Sequence, residues 1–192
     1  MKKIRKYLVP LLYCLGITIL FISPYLIKDM VNIEHDTFFH LSRIQGLAES
    51  IRNGVLIPRI YPLKNYGFGY GSPLFYCDIL LYPAALLYLG GVSLSYCYVI
   101  LLFIVTLISA CAMFYVAEMT TSRRSAFIAT ILYIGCNYRI TDVYVRGAFG
   151  ETMAFMFLPL ALYGIYQLLY TEDRHIRWLV IGFSGLILTH NL

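Results

Sequence analysis

Tyr7-Leu-Val-Pro-Leu-Leu-Tyr-Cys-Leu-Gly-Ile-Thr-Ile-Leu-Phe-Ile-Ser-Pro-Tyr-Leu-Ile27 is an apolar run without a single charge, and its length decides the fold class. At roughly 1.5 Å of rise per residue it reaches about 30 Å as a helix, the thickness of a bilayer's hydrocarbon core. Lys2-Lys3-Ile4-Arg5-Lys6 precedes it as in a signal peptide. The run is too long for a leader's apolar stretch, however, and no Ala-x-Ala site follows. It reads as an uncleaved first span with its basic end in the cytoplasm.

Runs 96–117 and 151–170 are of similar length, and the composition agrees with them. Hydrophobic residues make up 60% of the 192 and charged residues 13%, about half the share usual in soluble domains. The net charge of +5 comes from short basic clusters between apolar runs. That pattern orients a membrane protein and excludes a nucleic-acid groove. The five cysteines, Cys14, Cys77, Cys97, Cys111 and Cys136, contain no Cys-x-x-Cys pair. Most sit in apolar runs as small hydrophobes, so neither disulfides nor a thiolate metal site is expected.

The expected architecture is all-α: one polytopic transmembrane helix bundle over 1–192, with spans near 7–27, 96–117, 125–140, 151–170 and 178–192. A polar stretch follows the first span. Within 36–53, Leu41, Ile44, Leu47, Ala48 and Ile51 fall on one helical face, with Ser42, Gln45, Glu49, Arg52 and Asn53 opposite. This predicts an outer juxtamembrane helix lying in the interface, ended by Asn53-Gly54 and Pro58. Segment 74–89 is apolar but holds Asp78 and Pro83. If it is re-entrant or interfacial rather than spanning, all basic clusters fall on the cytoplasmic side, and that arrangement is preferred. The last run stops at Leu192, short of a full crossing, so the chain is expected to be the N-terminal part of a longer protein.

Three constellations carry polar chemistry. Asp36, His40 and Arg43 are spaced i, i+4, i+7 along one helical edge. They suit a base beside an anion-binding group, and Asp36 with His40 offers two ligands to a divalent cation. Asp36 also reads as an ordinary helix N-cap, and one residue can do both. Second come Tyr138, Arg139, Asp142, Arg146, Gly147, Gly150 and Glu151. Here Arg146 beside a glycine suits a phosphate, and Glu151 is either a second site carboxylate or a favourable charge at a helix start. Third, Arg59, Tyr66 and Tyr70 lie in a Tyr- and Gly-rich loop that fits either sugar stacking or an aromatic membrane belt. His190, near the chain end, is a lone histidine on the same expected side.

The ordered set Glu34-His-Asp-Thr-Phe-Phe-His-Leu-Ser-Arg43, Pro58-Arg-Ile-Tyr-Pro62, Tyr66-Gly-Phe-Gly-Tyr-Gly71, Tyr144-Val-Arg-Gly-Ala-Phe-Gly-Glu151 and Leu188-Thr-His-Asn191 resembles the bacterial YfhO-like integral membrane proteins. Part of that group carries the label "6-pyruvoyl-tetrahydropterin synthase-related". Such proteins resemble GT-C glycosyltransferases. The resemblance implies transfer of a sugar from a polyprenyl-phosphate donor to an envelope lipid or polymer, on the outer face of the bacterial cell membrane. It implies Asp36 as the base, with Glu151 in support. His40, Arg43, Arg59, Tyr66, Tyr70, Arg146 and His190 would contact substrate; no cofactor is fixed, and a divalent cation stays open. The competing expectation is a non-catalytic transporter or assembly protein for envelope lipids and polymers, or an inactive fragment.

Overall fold

The computed structural model describes residues 2–27, 35–171 and 175–189. The described residues form helices joined by turns, with no strand; the nearest approach to one is a single antiparallel bridge between Tyr61 and Tyr70. In chain order the helices are α1 (Lys2–Ile27), α2 (Thr37–Arg52), α3 (Tyr82–Leu89), α4 (Leu94–Thr120), α5 (Arg123–Ile134), α6 (Asn137–Thr141), α7 (Phe149–Ala154), α8 (Leu158–Tyr170) and α9 (Ile176–Thr189).

Two of these, over Lys6–Leu26 and Leu94–Thr120, are long and apolar enough to cross a membrane. Only 22% of the first is buried, so Leu8, Leu11, Leu12, Leu20 and Leu26 face outward. Buried hydroxyls in these helices serve their own backbones: Thr18 donates to the Cys14 carbonyl, Thr106 to Leu102 and Ser109 to Val105. That back-bonding is how a hydroxyl avoids being left unpaired in an apolar interior.

The other expected spans differ in build. Segment 125–140 is interrupted where α5 stops at Ile134, and α6 runs into a π-helical turn, Asp142–Arg146. Segment 151–170 is cut between Ala154 and Leu158. Segment 74–89 holds a 3-10 turn (Ile79–Leu81) and the eight residues of α3, a length of about 12 Å for the α-helix.

Helix α2 is not a ribbon laid on a surface. Half of its 16 residues are buried, and it packs on α3 and α4. Its polar face is roofed by the 55–78 loop, from which Lys64 Nζ reaches the Gln45 side chain at 2.7 Å. Gly46 admits that loop: a Cβ there would stand 2.7 Å from the Tyr61 ring. Binary patterning located the helix but not the roof, because the roof comes from a loop with no periodicity of its own.

Helices α1, α4 and α5 pack together, as do α8 and α9. Tyr13 donates to the Phe127 carbonyl at 2.6 Å. Between α8 and α9 the backbones nearly touch, since a Cβ on Gly164 or Gly182 would fall within 2.4 Å of the facing backbone. Small residues at such crossings are what apolar helices use to gain packing without help from water.

The bundle has two chemically different ends. Arg123, at the start of α5, donates to the Lys6 carbonyl at 2.8 Å, which gathers the basic segments at one end. At the other end Tyr25 donates to the Val143 carbonyl at 2.7 Å, which brings the end of α1 to the π-turn.

Candidate functional site

The site lies at the second end. Asp36 precedes α2, and its side chain makes no capping hydrogen bond, so the N-cap reading does not describe it. Instead its backbone N–H donates to the Arg146 carbonyl at 2.8 Å, stitching the two sequence constellations together. Asp36 is exposed, and its carboxylate has no hydrogen bond or ion pair among the described residues.

Arg146 ends the π-turn, and the chain reverses at Gly147 in the left-handed region (φ 63). The guanidinium is gripped by carboxylates. Nη1 lies 2.8 Å from Asp142 Oδ1 and 3.0 Å from Glu151 Oε2, and Nη2 lies 2.6 Å from Glu151 Oε1. Tyr138 also donates to Glu151. The Glu151 hydrogen bonds hold Arg146 above its ordinary value. Asp142 is fully buried, and its Oδ2 has no partner. Burial, reinforced by the Glu151 charge and opposed by Arg146, pushes its carboxyl up to about 6.

These pieces line a cleft of about 520 Å³. Asp36, His40, Arg146 and Glu151 supply its polar atoms, and Phe39, Tyr70 and Tyr76 its aromatic wall. His40 is buried within that wall. The Phe149 N–H points at its Nε2 at 3.3 Å, and Arg43 Nη1 lies 3.4 Å from its Nδ1. A neutral imidazole has a single lone pair, and the Phe149 N–H meets it at Nε2. No group of three or more His, Cys, Asp or Glu suited to a metal occurs among the described residues.

Arg43 belongs elsewhere. Helical spacing set it on the Asp36 edge, but the structure turns it into the interior at 1% exposure. Its Nη2 donates to Asp78 Oδ1 at 2.8 Å and to the Cys77 carbonyl at 3.0 Å. Tyr61 completes the cluster by donating to Asp78 Oδ2 at 2.5 Å, and burial pushes its phenol upward. The guanidinium lies 5.5 Å from the Phe39 ring centre and 5.1 Å from that of Tyr76. It thus supports the aromatic wall from behind and cannot reach a ligand in the cleft. Arg139, from the second constellation, also points inward, its Nη2 2.7 Å from Thr106 Oγ1.

Of the remaining candidates, Tyr70 lines the cleft, while Arg59 and Tyr66 are exposed and line no part of it. Tyr66 is fully exposed and adopts a positive φ of 60, as the tip of a tight turn. His190 lies outside the described residues. Asp78 carried a signal that the constellations left unused: a carboxylate inside an apolar run needs a partner.

No family model matches the chain, and neither a curated protein nor a solved structure does. Chemically, the cleft offers one unpaired carboxylate, aromatic surface, and a guanidinium already engaged by two acids. That set suits hydroxyl-rich ligands, whose O–H groups donate to carboxylates and whose C–H faces lie on aromatic rings.

Proposed function

We propose that this chain forms the donor- and acceptor-handling module of a multi-pass membrane glycosyltransferase of the GT-C type. Its donor is a sugar on a polyprenyl phosphate, and its acceptor is an envelope lipid or polymer. The observation that carries this reading is the unpaired Asp36 carboxylate at an aromatic cleft, opposite the Arg146–Glu151 pair. Asp36 removes the proton from an acceptor hydroxyl, the oxygen attacks the anomeric carbon, and the phosphate leaves with the bonding electrons. Glu151, with both oxygens engaged, holds Arg146 in position rather than acting as a second base. Arg146 meets the departing phosphate as its grip on Glu151 loosens.

The polarity of the bundle supports an outer-face site and a cytoplasmic N-terminus. Lys6, Arg123 and Arg124 gather at the end opposite the cleft, as the positive-inside rule demands of short connections. The outward apolar face of α1 supports its placement in lipid.

Transfer of radiolabelled sugar is measured in membranes expressing the full reading frame, with Asp36→Asn at matched protein level. The expected loss is about 100-fold, within the range of a general base. Equal transfer by both proteins would remove Asp36 from the chemistry. A second reading, transport without sugar transfer, draws on the buried Asp142, whose unpartnered oxygen lies at the outer end of the bundle where a polar permeant would enter. Substrate efflux without transfer by either protein would favour it.

A further inference from the structure

At the basic end, α1 and α4 leave a groove of about 320 Å³ between them. Leu11, Cys14, Cys111 and Phe114 line its apolar length, and Lys6 and Glu118 stand at its charged rim. Arg123 closes over this rim: while Nη2 holds the Lys6 carbonyl, Nη1 stands 3.7 Å from Glu118. The ammonium of Lys6 has the Tyr7 ring beneath it at 5.8 Å, and exposed Arg124 follows Arg123 directly. Lys6 and Arg123 therefore stand with one carboxylate, Glu118, at the mouth of an apolar slot.

We propose that this groove is a binding site for one anionic phospholipid. Its acyl chain lies along Leu11, Cys14 and Phe114, and its phosphate is held by Lys6 and Arg123. The inference rests on α1 and α4 crossing a bilayer, and it is independent of what the cleft at the other end does. Charge complementarity selects the occupant: basic pockets between helix ends on the cytoplasmic side favour anionic headgroups. Beside the slot, α1 also turns the apolar side chains of Leu8 and Leu12 outward. A soluble phosphate would meet the same cations but would leave the apolar length empty.

Trp178 is the chain's sole tryptophan. Its ring centre lies 5.4 Å from that of Tyr115, which itself lines the groove, so Trp178 reports from beside it. The full chain is reconstituted in phosphatidylcholine nanodiscs, and a rising fraction of the lipid is replaced by dibrominated phosphatidylglycerol or dibrominated phosphatidylcholine. Bromine quenches an indole only at close range. The brominated phosphatidylglycerol is expected to quench Trp178 about fivefold more steeply per basic residue engaged. Lys6→Gln, which removes only an exposed charge, should lower that preference, and Glu118→Gln should raise it. Leu11→Phe, which fills the slot with the charges intact, should weaken quenching by both lipids. Equal steepness for the two lipids, or a preference unchanged in Lys6→Gln, would overturn the proposal. Absence of quenching by either lipid would overturn the membrane reading beneath it, whatever the sugar-transfer assay shows.

Discussion

At the cleft end of the bundle, Arg43 and Asp142 are held in the interior, each against an opposite charge. At the basic end Arg123 keeps 36% exposure and stands 3.7 Å from its nearest carboxylate. The residue types are the same, yet the energetics are not. A buried ion has lost its water and depends wholly on its partner, whereas an exposed one is served by solvent and salt. The cleft end should therefore break sharply when one charge is removed, and the basic end should barely respond in stability while responding in what it attracts.

Asp78→Ala tests this hardest. It strands the Arg43 guanidinium, whose Nε already lacks a partner, and leaves the Tyr61 hydroxyl without its acceptor. The expected cost is about 3–5 kcal/mol, read as a fall in thermal midpoint in detergent. A shift no larger than that of an exposed-charge variant would erase the distinction between the ends.

The pH dependence of stability is a smaller effect and isolates Asp142. Its carboxyl is raised in the folded chain, so the folded chain binds that proton more tightly than the unfolded chain does. The stabilisation is complete below the ordinary carboxylate range and is lost as pH rises through about 6. The loss should be on the order of 2 kcal/mol, giving a higher midpoint at pH 5 than at pH 7. Asp142→Asn should flatten that difference; an unchanged profile would assign it to other groups.

Glu118→Gln sits at the bottom of the scale. It breaks a long, exposed pair and should move the midpoint by under about 1 kcal/mol. A large loss there would show the basic end to be as tightly built as the cleft.

Much of this contrast was legible before the structure, but unevenly. The apolar run of α1 and the extent of α2 follow from local rules, each needing only neighbours within a few turns. The pairing of Arg43 with Asp78 does not. Helical spacing places Arg43 on the Asp36 edge, but no local rule says that the 55–78 loop folds back and offers a carboxylate from the other side. The π-turn over Asp142–Arg146 has no sequence signature either. Without it, the segment reads as two arginines and two acids in a loop, with nothing to show that Arg139 turns inward while Arg146 faces the cleft. The charge pattern puts the Asp36 and Arg146 segments on one side of the membrane, but their direct contact runs through backbone groups that any residue possesses.

The link between His40 and Phe149 joins residues 109 positions apart. A ribosome adding 5–20 residues per second needs roughly 5–20 s to supply the second partner after the first. For most of that interval Asp36 and His40 have left the exit tunnel, and the Arg146–Glu151 side of the cleft does not yet exist. The Arg43–Asp78 clamp, spanning only 35 positions, is complete far earlier. It can hold α2 in its final orientation until the later helices arrive. A lesion in that clamp would thus act first on biogenesis, as misinserted and degraded chains, before it was ever felt as a defect in the finished site.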